Sequence, residues 1–133
     1  MDEALRQVLL ADGRIAYALR FGSTARGEAT PLSDVDVAVG LRSGAALDAH
    51  ALGALTSALE QAAGRPVDLV VLDEAPPPLA YRVFRDGQLL VEVDRRARVE
   101  RQVRAILEYL DFEPVERLCA RAVLEGASRR SGS

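Results

Sequence analysis

Phe21-Gly22-Ser23-Thr24-Ala25-Arg26-Gly27, followed after a short loop by Ser33-Asp34-Val35-Asp36-Val37, is the stretch whose reading decides the fold. The residues before it, Arg14 to Phe21, alternate as a strand does, with Ile15, Tyr17, Leu19 and Phe21 on one face. Gly22-Ser23 breaks that strand, and Thr24 to Glu28 reads as one or two helical turns. Ala29 to Leu32 is loop, marked by Pro31. A second strand then spans Asp34 to Leu41, with Val35, Val37 and Val39 on one face. Side chains two apart in a strand point the same way, so Asp34 and Asp36 project together, opposite the valines. Adjacent carboxylates repel, and burying them unpaired is costly. A divalent cation resolves the conflict, and magnesium suits a pair of carboxylates that also faces phosphate oxygens. The glycine-serine turn supplies the other half of such a site. Glycine lets the backbone approach a ligand, a helix N-terminus offers free N–H groups and positive potential to phosphate, and the Ser23 hydroxyl adds a donor. Arg26 fits a phosphate, or a pairing with Asp34 or Glu28.

Working outward, Asp2 to Leu10 carries Leu5, Val8 and Leu9 at helical spacing, and Asp12-Gly13 ends that helix. Ala45 to Ala63 is rich in Ala and Leu at helical spacing, stopped by Gly64. Val67 to Leu72 is a third strand. Ala75 to Pro78 is a rigid connector, Leu79 to Phe84 a short helix, Asp86-Gly87 a turn, and Leu89 to Val93 a fourth strand. Arg95 to Leu110 is a charged amphipathic helix with Val99, Val103, Ile106 and Leu110 on its apolar side. Pro114 opens a last helix that Gly126 closes, before a disordered tail from Ser128. No repeat or domain linker interrupts the chain, which predicts one domain over residues 1–127 with a tail over 128–133. Strands alternating with helices predict a small α/β or α+β layer structure.

The third strand carries Asp68 in an otherwise apolar run. If it pairs with the second strand, Asp68 reaches the face of Asp34 and Asp36. Three carboxylates there support two metal ions and an in-line displacement at phosphorus, with Asp68 placed to help deprotonate an attacking hydroxyl. Taken singly, each feature has an ordinary explanation: a structural turn, a solvated Asp-x-Asp face, a surface strand residue. Their positions on strands that bring them together make the combination specific.

Composition narrows the function classes. The chain has 133 residues, room for one domain with a buried core. No apolar run approaches a membrane span, and the acidic start Met1-Asp2-Glu3 is unlike a signal peptide. The net charge of −3 argues against direct nucleic-acid binding. One cysteine, Cys119, excludes an internal disulfide framework, argues against a thiolate zinc site, and makes a reducing cytoplasm the expected compartment. All 17 basic residues are arginine, so Schiff-base chemistry and a Walker-type lysine are excluded.

The stretch from Gly22 to Gly27 with Ser33 to Asp36 resembles the signature of the minimal nucleotidyltransferases, within the DNA polymerase beta-like nucleotidyltransferase superfamily. The match spans Phe21 to Val39, and Asp68 fits the third acidic position. Tyr109-Leu110-Asp111-Phe112 is similar to a segment carried by antitoxin members of that family. The resemblance implies a small mixed sheet flanked by helices with a C-terminal helical region, and ATP and Mg2+ as ligands in a two-metal site. It assigns the triphosphate to Gly22 and Ser23, metals to Asp34 and Asp36, and metal binding plus acceptor activation to Asp68. Arg26 matches the motif arginine. Members of this size imply an antitoxin of a type VII-like pair, which transfers AMP from ATP to a tyrosine of a HEPN-domain ribonuclease toxin. Two other readings stand beside it: neutralisation of the toxin by binding alone, and nucleotidyl transfer to a small molecule such as an antibiotic. The short chain leaves the last little room for a substrate-binding domain.

Other residues carry weaker signals. His50 reads as a surface helix residue and Cys119 as core of the last helix. Arg95, Arg96, Arg98, Arg101 and Arg104 read as a solvated face with Glu100 and Glu108 as partners, or as a docking face for an acidic partner or RNA. Asp73 and Glu74 are expected to cap a loop, and Tyr81 and Tyr109 to pack.

Overall fold

The computed structural model describes residues 1–22, 25, 27 and 33–111. Ser23, Thr24, Arg26 and Glu28, the loop expected over Ala29 to Leu32, the helix expected from Pro114 with Cys119, and the tail lie outside the described residues.

A four-stranded sheet is built from β1 (Ile15–Phe21), β2 (Val35–Leu41), β3 (Val67–Val71) and β4 (Gln88–Glu92), in the order β3-β2-β1-β4. β1 runs antiparallel to both β2 and β4, while β2 and β3 are parallel. The sheet is therefore mixed, as the resemblance implied. Parallel neighbours need a crossover, and α2 (Ala49–Ala63) supplies it between β2 and β3.

α1 (Asp2–Ala11) and α2 cover one face of the sheet. Leu5, Leu9, Leu55 and Leu59 pack there on Val35, Val37 and Val39, all within one buried cluster. The alternation read from β2 thus points its valines inward. The opposite face is covered by α3 (Pro77–Asp86) and by α4, helical over residues 95–111. Tyr17, Leu19, Ala38, Leu72, Ala80, Val83 and Ala105 form the second cluster there. Both faces are buried, a two-sided core about a single sheet.

Four local expectations are corrected. Ile15 does not share a face with Tyr17 and Leu19. The β1–β2 register shifts between Ile15 and Tyr17, and the bulge turns Ile15 to the α1 side. α2 starts at Ala49 rather than Ala45, because Gly44 (φ +80°) holds a turn and Asp48 caps the helix, its carboxylate accepting from the Ala51 N–H at 2.7 Å. Gly64 ends it in the left-handed region (φ 68°), as the sequence indicated. The prolines read as a connector open α3 itself, since proline lacks only an N–H that the first turn cannot use. Finally, the apolar side of α4 faces outward: Val99, Val103, Ile106 and Leu110 are 39–57% exposed. The inward side is Ala97, Arg101 and Ala105, whose small alanines bring the helix close to the sheet.

Candidate functional site

The site lies at the end of the sheet where β1 finishes and β2 and β3 begin. Phe21 pairs with Asp36, and Asp36 pairs in turn with Asp68 across the parallel β2–β3 ladder. Residues in parallel register sit side by side, about 4.8 Å apart, with side chains on the same face. Asp36 and Asp68 therefore adjoin. Asp34 stands two residues ahead of Asp36, at the entrance to β2. Asp34 and Asp68 are exposed and Asp36 is half-buried, while Val35 and Val37 between them are fully buried. Alternation thus anchors the strand by its valines and presents its carboxylates.

Gly22 follows β1 directly, with φ +75°. A Cβ built on it would overlap Asp36 Oδ2. Only glycine permits both the backbone angle and the approach of that carboxylate. The turn and the acidic pair, separate signals in the sequence, are thus one packed unit. Ala25, the next described residue, is buried.

Two further contacts border this end of the sheet. Arg20, just ahead of Phe21, pairs with Asp2 at the start of α1. Gln88, the first residue of β4, donates its Nε2 to the Ala25 carbonyl at 2.9 Å. Sequence reasoning had no route to Gln88, which lies 63 residues from its partner.

Among the described residues, no three His, Cys, Asp or Glu side chains are grouped to hold a metal ion. The donor set itself is suited to a hard cation. Asp34, Asp36 and Asp68 offer only carboxylate oxygens, which is magnesium chemistry rather than zinc or iron chemistry.

The remaining singled-out residues serve the scaffold. His50 is exposed in the first turn of α2. Asp73 accepts from the Leu41 N–H at 3.2 Å. The Tyr81 and Tyr109 rings stack on each other at 4.1 Å, with the Arg85 guanidinium 5.6 Å from the Tyr81 ring. In the arginine run, Arg96 pairs with Glu100 at 2.8 Å, Arg98 with Glu92 at 3.0 Å, and Arg104 with Glu108 at 3.0 Å. Arg101 departs from that pattern: it is buried, and its Nε and Nη2 donate to the Leu72 carbonyl. A cleft of about 440 Å³ beside it is lined by Tyr17, Ser43, Asp73, Glu100 and Arg104. That cleft sits at the opposite end of β2 from Asp36.

The chain has counterparts among known proteins. The sequence profile of the family described as polymerase beta, nucleotidyltransferase, matches residues 3–96, which include Gly22 and all three aspartates. No curated protein matches the chain. Among solved structures, the chain resembles one from a toxin–antitoxin crystallised with AMP-PNP (24% identity, TM-score 0.81, covering 92% of this chain and 98% of the other). It resembles one from the toxin–antitoxin MntA–HepT (22% identity, TM-score 0.75, covering 92% and 96%). A third comes from tri-AMPylated Shewanella oneidensis HEPN toxin in complex with MNT antitoxin (22% identity, TM-score 0.74, covering 93% and 99%). At these identities the likeness is one of fold. Among the described residues, no helix is long and apolar enough to cross a membrane.

Proposed function

The chain belongs to the polymerase beta nucleotidyltransferase family, and from that premise we propose that it is an antitoxin of the minimal nucleotidyltransferase type. It transfers AMP from ATP to a tyrosine hydroxyl of a cognate HEPN-domain toxin, in the cytoplasm, and so neutralises it. The observation that carries this reading is the packing of Gly22 against Asp36 with Asp68 in register beside it. The fold shared with chains from toxin–antitoxin complexes supports it, one of them holding an ATP analogue and one an AMPylated toxin.

In this reading the residues of the site divide the work. The backbone at Gly22 and the Ser23 hydroxyl hold the triphosphate, and Arg26 adds charge to it. Asp34, Asp36 and Asp68 would hold magnesium, which would neutralise charge on the phosphates and lower the pKa of an oxygen nucleophile. Asp68 takes the proton from the acceptor hydroxyl. The tyrosine oxygen forms a bond to the α-phosphorus as the bond to the bridging oxygen breaks, and pyrophosphate leaves.

Incubation with ATP, magnesium and the partner toxin tests this directly. The toxin should gain the mass of AMP, and Asp36→Ala should abolish the gain. Full transfer by an Asp34→Ala, Asp36→Ala double variant would overturn the proposal.

A further inference from the structure

We propose that the cleft between α4 and the end of β2 is a binding site for a small monocarboxylate, held by Arg101 and Tyr17. The site lies at the opposite end of β2 from Asp36 and owes nothing to nucleotidyl transfer.

The cleft is built by three elements. Leu41, the last residue of β2, forms one wall. Ala97 and Arg101, four residues apart on α4, stand on the side of that helix that meets the sheet. Tyr17 comes from β1, which pairs it with Gly40. Its ring takes the space that a Cβ on Gly40 would fill, next along β2 from Leu41. The volume, about 440 Å³, falls in the range of small-molecule sites.

The two buried polar side chains that line the cleft are not fully used by the protein. Arg101 is 8% exposed and Tyr17 2%. Arg101 Nε and Nη2 donate to the Leu72 carbonyl, and Nη1 has no hydrogen-bond partner. The bonds to Leu72 occupy the Nε edge of the guanidinium and leave the edge shared by Nη1 and Nη2. That edge matches the two oxygens of a carboxylate. A backbone carbonyl needs no full charge opposite it, and an unpaired buried cation is costly. Burial, with the charge of Arg104, lowers the pKa of Arg101, and Glu108 and Asp73 only partly offset them. Among the described residues, no hydrogen bond engages the Tyr17 hydroxyl, whose pKa of about 12 keeps it a donor at neutral pH. Buried polar groups are ordinarily satisfied, so two underused donors in one cleft point to a ligand that accepts.

The rim sets the charge of that ligand. Glu100 pairs with Arg96, Arg104 pairs with Glu108, and Asp73 accepts from the Leu41 N–H, so the charged groups around the mouth already have partners. Asp73 and Glu100 repel an incoming dianion about twice as strongly as a monoanion, which favours a carboxylate over a phosphate. Leu41 and Ala97 offer apolar surface to its body. Nη1 is covered. The ligand reaches it as the exposed side chains of Glu100 and Arg104 change rotamer, which exposed residues do within nanoseconds.

Benzoate, a carboxylate on a small apolar ring, is the probe. Titrated into the isotope-labelled chain at neutral pH without ATP or magnesium, it should shift the amide resonances of Leu41 and Ala97 saturably. The Kd should be on the order of millimolar, the reach of a ligand of about ten heavy atoms. Tyr17→Phe removes only the hydroxyl and should raise the Kd about fivefold. Arg101→Met should raise it more than about tenfold, the loss expected for hydrogen bonds to a charged group. Inorganic phosphate and benzyl alcohol should both bind more weakly than benzoate. Shifts that never saturate, or that centre on the Asp36 end of the sheet, overturn the proposal. So does an unchanged benzoate Kd in Tyr17→Phe, which tests the site even if Arg101→Met folds poorly. Phosphate or benzyl alcohol binding as tightly as benzoate overturns the assignment of a monocarboxylate.

Discussion

The carboxylate of Asp36 occupies the space that a side chain at Gly22 would fill, so the phosphate-side turn and the central acidic residue are fitted to one another. Gly22→Ala therefore carries two penalties. It strains a φ of +75°, which costs about 1 kcal/mol, and it drives Asp36 from its place. A displacement of about 1 Å at a reacting centre costs on the order of 100-fold in rate. We expect AMP transfer to fall by about that factor while the melting temperature drops only a few degrees. Retention of full transfer by the alanine variant would show that the fit between these residues is immaterial to the reaction.

Some of this was legible in the sequence and some was not, for physical reasons. The β2 valines declared themselves because a strand with one buried face must alternate, and that alternation also placed Asp36 opposite them. Gly64 declared itself because glycine readily takes the left-handed conformation in which this helix ends. The Asp36–Asp68 pairing needed a register, which alternation sets only to within two residues. The bulge at Ile15 depends on how β1 meets β2, a non-local matter. The amphipathic pattern of α4 was correct, yet its small side met the sheet and its large apolar side did not. Hydrophobic period reports two faces without saying which one a helix buries. Gln88 had no signal at all, since its partner is a backbone carbonyl, and every residue has one.

The same glycine logic recurs deeper in the sheet. A Cβ on Gly40 would overlap the ring and hydroxyl of Tyr17, which is 2% exposed. Gly40→Ala should destabilise the fold by roughly 1–3 kcal/mol through overpacking. Tyr17→Val removes the ring and should abolish most of that cost in the double variant. Urea melts of the two single variants and the double measure the coupling. Simple additivity of the single effects would rule the clash out.

Tyr17 also gives stability a pH dependence with a fixed sign. Burial, aided by the charge of Asp73 and opposed by Arg101, Arg104 and Arg98, pushes its phenol up from 10.0 to about 12. Below pH 10 both folded and unfolded chains keep the proton, and the full stability is present. Between pH 10 and about 12 the unfolded chain releases the proton first, so stability is lost as pH rises. Two pKa units correspond to about 2–3 kcal/mol across the whole window. Unfolding free energies measured from pH 9 to 11 should decline more steeply for the wild type than for Tyr17→Phe. Parallel declines would remove Tyr17 as the cause.

Arg101 fastens α4 to the end of β3 through a backbone carbonyl, and among the described residues no carboxylate forms an ion pair with it. Its Nε and Nη2 donate to the Leu72 carbonyl at 3.2 and 3.0 Å, its Nη1 has no hydrogen-bond partner, and burial lowers its pKa. Removing the side chain strips Leu72 of both donors and opens a void. Removing only the charge also orphans the carbonyl, but relieves the cost of a desolvated guanidinium. The two effects oppose each other in Arg101→Met, which preserves the packing, and add in Arg101→Ala, where a cavity joins the lost hydrogen bonds. We expect about 1 kcal/mol of destabilisation for methionine and about 2–4 kcal/mol for alanine, read from urea midpoints at pH 7. Equal losses in the two variants would mean that the hydrogen bonds to Leu72, and not the packing of the long side chain, hold α4 in place.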